Sequence, residues 1–226
     1  MADASGGLKR RDPEALALLT EALMLSGISM KLAGSSSPAS GGEHLISHYW
    51  DMTAPEENRV EGWHGAQTGV ATIVTATLYD FLRRMDPQDI DVDALVTSHR
   101  PFEELQESIR ARHGRLAEEV LQEFSKKHPT SDQLRERLTM IKDGWEELWA
   151  DVGTTLRPPE RIRKILAAAG APVDMEGLGL DPGHLRRAFS AAREIRNRYT
   201  VLDLAADLGV LLTRAEDVLL ASGCLV

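Results

Sequence analysis

Apolar positions recur at helical spacing along most of this chain, and almost no segment alternates with period two. That pattern predicts an all-α fold in which strands are nearly absent. Asp12-Pro13 has the form of a helix start, an N-cap aspartate followed by a first-turn proline. Leu16, Leu19, Leu23 and Ile28 supply its apolar stripe, and Ala33-Gly34 ends it. Residues 34–42 hold three serines in a row, Pro38 and three glycines, and read as a loop. A short helix is predicted from Glu43 to about Asp51, then a polar turn over 52–62. A long buried helix follows from about Trp63 to Arg84, stopped by Asp86-Pro87. Residues 87–98 read as a short helix or an irregular connection. The spacing predicts one amphipathic surface helix over Phe102–Lys127. Thr130 and Ser131 cap the next, with Leu134, Leu138, Ile141, Trp145 and Leu148 as its stripe. Pro158-Pro159 opens a helix that Gly170 closes; a Gly- and Pro-rich loop covers 170–183, and two or three helices fill 183–222.

The organisation expected is a flexible segment over 1–11 and one helical domain over 12–226. A chain of 226 residues is long enough to bury a sizeable core. The formal net charge of −9 makes binding to a phosphate backbone a poor prospect, but does not disfavour a small phosphorylated ligand at a local positive site. Cys224 is the single cysteine, so no disulfide framework can form within one chain, which fits a reducing compartment such as the cytoplasm. The start, MADASGGLKRRD, lacks the apolar core of a signal peptide. The longest apolar runs, near 69–78, read as too short and interrupted to span a membrane.

Three histidines carry the chemistry. His44 and His48 lie four apart, so on a helix both imidazoles share one face. His64 follows sixteen positions later, at the head of the apolar run GVATIVTATLYDFL. Imidazole is the commonest metal ligand in proteins and titrates near neutral pH. Spacing alone favours a surface or packed pair over a ligand pair, and no HExxH helix is present. The setting shifts that balance: the small residues before His44 leave the backbone open to a ligand, and His64 sits at the mouth of a buried helix.

The stretch SGISMKLAGSSSPASGGEHLISHYWD, followed by WHGAQTGVATIVTATL, resembles the metal-binding half of glycerol-1-phosphate dehydrogenases. These are grouped with glycerol dehydrogenases, iron-type alcohol dehydrogenases and dehydroquinate synthases. The tail REIRNRYTVLDLAADLG is similar to the end of the same subfamily, so the likeness runs from about Arg11 to Gly209. It implies the C-terminal helical-bundle domain of that fold. It implies His44 and His64 as metal ligands and His48 as the residue that touches substrate and passes a proton. The implied metal is zinc, with nickel or iron as alternatives. The third ligand, an aspartate, and the NAD(P) site belong to a Rossmann-like domain for which no strand, glycine turn and helix are found here. Two positions depart from the family pattern: Ser37 stands where an arginine is common, and Ala66 where a glutamate is common.

The resemblance therefore implies half of a metal-dependent oxidoreductase of phospholipid biosynthesis. It would interconvert dihydroxyacetone phosphate and sn-glycerol 1-phosphate, and it would be inactive alone. Its partners would be a phosphorylated three-carbon substrate and a missing domain or Rossmann-bearing chain, with a homo-oligomer allowed and neither nucleic acid nor membrane expected. A second reading is a helical interaction module that completes a partner chain. A third is a DNA-binding regulator, because TVLDLAADLGVLLTRAEDVLLASG has passable helix–turn–helix spacing at Ala205 and Gly209. Trp145 and Trp149 read as core. Arg157, Arg161, Arg163 and Lys164 read as a solvated face, and His99, His113, His128 and His184 as surface residues. Arg196, Arg198 and Tyr199 are expected to be structural.

Overall fold

A helix that buries nearly every side must lie at the centre, and α4 (His64–Arg83) does so. Val70, Ala71, Ile73, Val74, Leu78 and Leu82 are fully buried along it. The computed structural model describes residues 4–55, 57, 59 and 62–226, and among these there is no strand. Around α4 pack α3 (Gly42–Thr53), α10 (Pro159–Ala169), α13 (Val201–Asp207) and α15 (Ala215–Ser222). α12 (Pro182–Ala191) closes the far side of α3, and the Trp50 indole N–H donates to the His184 carbonyl across that contact at 3.1 Å. The polar turn expected over 52–62 lies partly outside the described residues.

The expected starts and stops of several helices hold. α2 (Pro13–Ala33) begins after Asp12 and ends at Gly34, whose φ of 65° is left-handed and suits a residue without Cβ. α8 (Ser131–Asp143) opens with a capping box in which Thr130 and Gln133 exchange bonds. Leu134, Leu138 and Trp145 are buried as the stripe predicts.

Other expectations are corrected. The single helix over Phe102–Lys127 is two, α6 (Phe102–His113) and α7 (Ala117–Ser125), because Gly114 adopts φ 51° and turns the chain. The stripe through Trp145 is likewise split, with α9 (Trp145–Gly153) beginning after Gly144. Residues 1–11 were expected to be flexible; Ser5–Arg10 form α1, which docks on α10. Gly7 lets α1 fold against the first turn of α2, since a Cβ there would meet the Ala15 methyl at 2.9 Å.

α2 itself has no core-facing stripe. Its apolar residues lie all round, and Ala15 is the one buried residue in it. Leu23, Met24 and Leu25 are about 60 % exposed and Leu32 is 84 % exposed. By length and composition α2 could cross a membrane, which corrects the view that every apolar run is too short. Glu14, Glu21 and Lys31 interrupt it.

The remaining histidines are not surface residues. His113 is buried, with Nε2 2.7 Å from the Glu194 carboxylate, which also receives Arg112 at 2.7 Å. His99 and His128 stack with ring centres 4.9 Å apart, and each reaches a carbonyl beside the other ring: His99 to Pro129, His128 to Arg100. His184 meets Glu57 at 2.8 Å. Arg163 is a tie rather than a solvated group, donating to the carbonyls of Val173 and Ser222. The helix–turn–helix reading finds no support in shape: α13 is buried on nearly every side, and α14 (Val210–Thr213) is one turn long.

Candidate metal centre

The site begins with a glycine. A Cβ on Gly42 would meet side-chain atoms of Val201, Leu202 and Thr75 at 3.2, 3.3 and 3.4 Å, so its absence lets the first turn of α3 sit against α13 and α4. The Glu43 carboxylate folds back to accept from the Gly41 N–H at 2.8 Å, and the same oxygen lies 3.0 Å from His44 Nδ1. Leu45, Ile46, Tyr49 and Trp50 turn into the core. That leaves His44, His48 and Asp51, at i, i+4 and i+7, on the opposite face. His64 is exposed at the first position of α4, which crosses α3 directly.

The three rings form a triangle. Ring centres are 5.2 Å apart for His44–His64, 5.2 Å for His48–His64 and 6.3 Å for His44–His48. All three histidines picked out in the sequence are therefore brought together.

Hydrogen bonding fixes which nitrogen each ring offers. Gln67 Nε2 donates to the Asp51 carboxylate at 2.9 Å, which aims Gln67 Oε1 at Ser47. The Ser47 hydroxyl has one hydrogen and gives it to Gln67 Oε1 at 2.7 Å. Ser47 Oγ, 2.9 Å from His64 Nδ1, can then only accept, so the proton sits on Nδ1 and Nε2 keeps its lone pair. Glu43 does the same for His44, because a carboxylate accepts from Nδ1–H and leaves Nε2 free. Such outer partners orient metal-binding imidazoles generally. The donor set thus fits a divalent transition metal.

His48 is half-buried. Burial pushes its imidazole below the ordinary histidine range, with the charges of His64, Arg196 and His44 adding to the effect and Asp51 opposing it. The shift favours the neutral imidazole.

Asp51, Ser47 and Gln67 were missed in the sequence. The signal available was Asp51 three positions after His48 on one helical face. Ligand atoms of His48, Asp51 and His64 all lie within 4.8 Å of one another. Ala66 has no polar side chain, and the link to Asp51 comes from the neighbouring Gln67 amide. Arg198 spans the serine loop near Ser37, donating to the Ser40 carbonyl and to Ser36 Oγ, as a structural role requires.

The chain is similar to glycerol-1-phosphate dehydrogenases [NAD(P)+]. It is 31 % identical to that of Geobacillus thermodenitrificans over 186 residues, covering 82 % of this chain and 37 % of the relative. For Geobacillus stearothermophilus the identity is 29 % over 196 residues, or 84 % and 38 % of the two chains. For Natronomonas pharaonis it is 35 % over 150 residues, or 65 % and 37 %. The chain therefore spans little more than a third of the length of these curated relatives. No family model matches it. No solved structure matches it. The chain is thus a relative of the glycerol-1-phosphate dehydrogenases, matching a C-terminal portion of them with an all-helical domain.

Proposed function

We propose that the chain is the metal- and substrate-binding half of an NAD(P)-dependent glycerol-1-phosphate dehydrogenase, located in the cytoplasm and inactive without a nucleotide-binding domain. The observation that carries this reading is the Ser47–Gln67 relay, which presents His64 Nε2 as a free base 5.2 Å, ring to ring, from His44. In the assembled enzyme His44 and His64 would hold the metal, zinc first, with the third ligand contributed by the other domain. The bound metal supplies Lewis acidity toward the ketone oxygen of dihydroxyacetone phosphate. His48 is half-buried, its neutral form favoured by burial, and it lies beside both rings, which suits it to carry the proton to or from the substrate oxygen. The nicotinamide cofactor belongs to the part of the relatives that this chain does not match.

The test is complementation. Co-expression with the N-terminal portion of the Geobacillus thermodenitrificans enzyme is expected to give metal-dependent oxidation of glycerol 1-phosphate. His48→Ala should lower turnover about a hundredfold to ten-thousandfold. Unchanged turnover in that variant, or micromolar NADH binding by this chain alone, would refute the reading. A second reading, a helical module completing a partner chain, is favoured by one observation, the apolar surface that α2 leaves uncovered.

A further inference from the structure

We propose that α2 is a self-association surface, on which a second copy of this chain docks as an antiparallel, two-fold helix pair. The inference does not depend on the function proposed above.

The covered side of α2 is narrow and built of mostly small residues. Ala15 is buried, and Leu19, Ala22, Ser26, Ser29 and Met30 are half-buried, a spacing that keeps them all on one face toward the body. The opposite face carries positions 17, 21, 24, 28 and 31, at alternating steps of four and three, the period of a coiled-coil seam. Met24 and Ile28 at its centre are 64 % and 51 % exposed, and Leu25 and Leu32 along its edge are 59 % and 84 % exposed. A contiguous apolar strip of this kind on a surface helix marks an interaction site.

Charge names the occupant. Glu21 and Lys31 stand on the same seam, both exposed, and among the described residues neither has an ion partner in its own chain. A two-fold axis at position 26 lays each residue opposite the one equally far beyond that point. Met24 then meets Ile28 of the second copy, and Glu21 meets Lys31 of the second copy, each contact occurring twice. The methylene stems of Glu21 and Lys31 cover the ends of the seam while their charged heads meet at its edge. A parallel pair would instead set Glu21 against Glu21 and Lys31 against Lys31, which repel. A bilayer would take in Glu21, in the middle of the helix, without any partner. The complement that α2 needs is the one it carries itself. Below the concentration at which copies pair, α2 stays as uncovered as in the single chain.

The experiment is sedimentation velocity of the purified chain over a range of concentrations. Wild type should pass from monomer to dimer in the micromolar range. Met24→Glu buries an unpaired charge at the centre of the seam, and Lys31→Glu sets like charges against each other at both ends. Each should weaken the dimer about a hundredfold or more. Glu21→Lys alone should do the same, whereas Glu21→Lys combined with Lys31→Glu should restore wild-type association, which a merely damaged helix would not do. All three positions face away from the core, so near-ultraviolet circular dichroism should be unchanged in every variant. A wild type that stays monomeric, a dimer that survives Met24→Glu, or a double variant that stays monomeric would overturn the proposal. So would flotation of wild type with phosphatidylcholine vesicles in place of dimerisation, which would assign α2 to a bilayer. The complementation assay reads the dehydrogenase function separately, so either conclusion can fail without the other.

Discussion

Asp203 offers the sharpest test of what holds this domain together. It is 1 % exposed, and both carboxylate oxygens are fully used. Oδ1 meets Lys127 Nζ at 2.8 Å and Arg193 Nε at 3.1 Å. Oδ2 accepts from the Thr200 N–H at 2.8 Å and from its hydroxyl at 3.2 Å, closing the capping box of α13. Lys127 and Arg193 are themselves largely buried, and burial pushes the Lys127 ammonium below the ordinary lysine range even though Asp203 pulls it up. Asp203→Ala would leave two cations without their anion. Removing one partner of a buried pair typically costs about 3–5 kcal/mol, and losing a helix cap about 1 kcal/mol. Two contacts soften the loss: Lys127 also donates to the Arg198 carbonyl, and the Arg193 guanidinium lies 4.9 Å over the Phe124 ring. The expected net loss is therefore about 4 kcal/mol. Urea unfolding, followed by near-ultraviolet circular dichroism of the packed aromatic side chains, Trp50 and Trp145 among them, measures it. Lys127→Met in the Asp203→Ala background should restore part of the loss, because an apolar chain removes the uncompensated charge. A loss under about 1 kcal/mol, or further destabilisation by Lys127→Met in that background, would refute the reasoning.

Gly42→Ala should strain the start of α3 against Val201, Leu202 and Thr75 at a cost of about 1–3 kcal/mol, measurable by the same unfolding assay. Acid should weaken the fold through His128. Its imidazole is held below the ordinary range chiefly by burial, with His99 stacked on it and Arg193 adding to the effect, while its bond to the Arg100 carbonyl and Asp207 oppose. A lowered folded value means the contribution is complete above about 6.5 and is lost as pH falls below it. Urea midpoints measured from pH 8 to pH 5 should therefore fall less steeply in His128→Phe than in wild type, and equal slopes would count against the assignment.

What could be read in the sequence was local. The proline and glycine boundaries of α2 and α10 follow from backbone preferences of single residues, and they fall where expected. The split at Gly114 carried a local sign, the glycine itself, but the apolar period ran through it and concealed the turn. Contacts between distant residues left no trace: Glu194 lies 81 positions from His113 and 82 from Arg112, so nothing near either one marks the pair. The same division runs through the site. The histidines were legible by spacing and resemblance. Asp51 carried only its place three positions after His48 on one face, while the Gln67 link that aims it spans 16 positions and depends on the crossing of α3 and α4.

α2 has a consequence for how this protein melts. It is joined to the body at its ends, by α1 docked on α10 and by the serine loop that Arg198 pins, and little of its length is covered. Helices in proteins draw most of their stability from packing, and this one of 21 residues has little. Its amides should exchange with solvent through local openings far cheaper than global unfolding, while those of α4 wait for the whole core to come apart. One transition temperature cannot then stand for the whole chain: helicity measured in the far ultraviolet should begin to fall before the near-ultraviolet signal of the buried aromatic side chains does, and the interval between the two reports how much of the fold is held by neighbours rather than by itself.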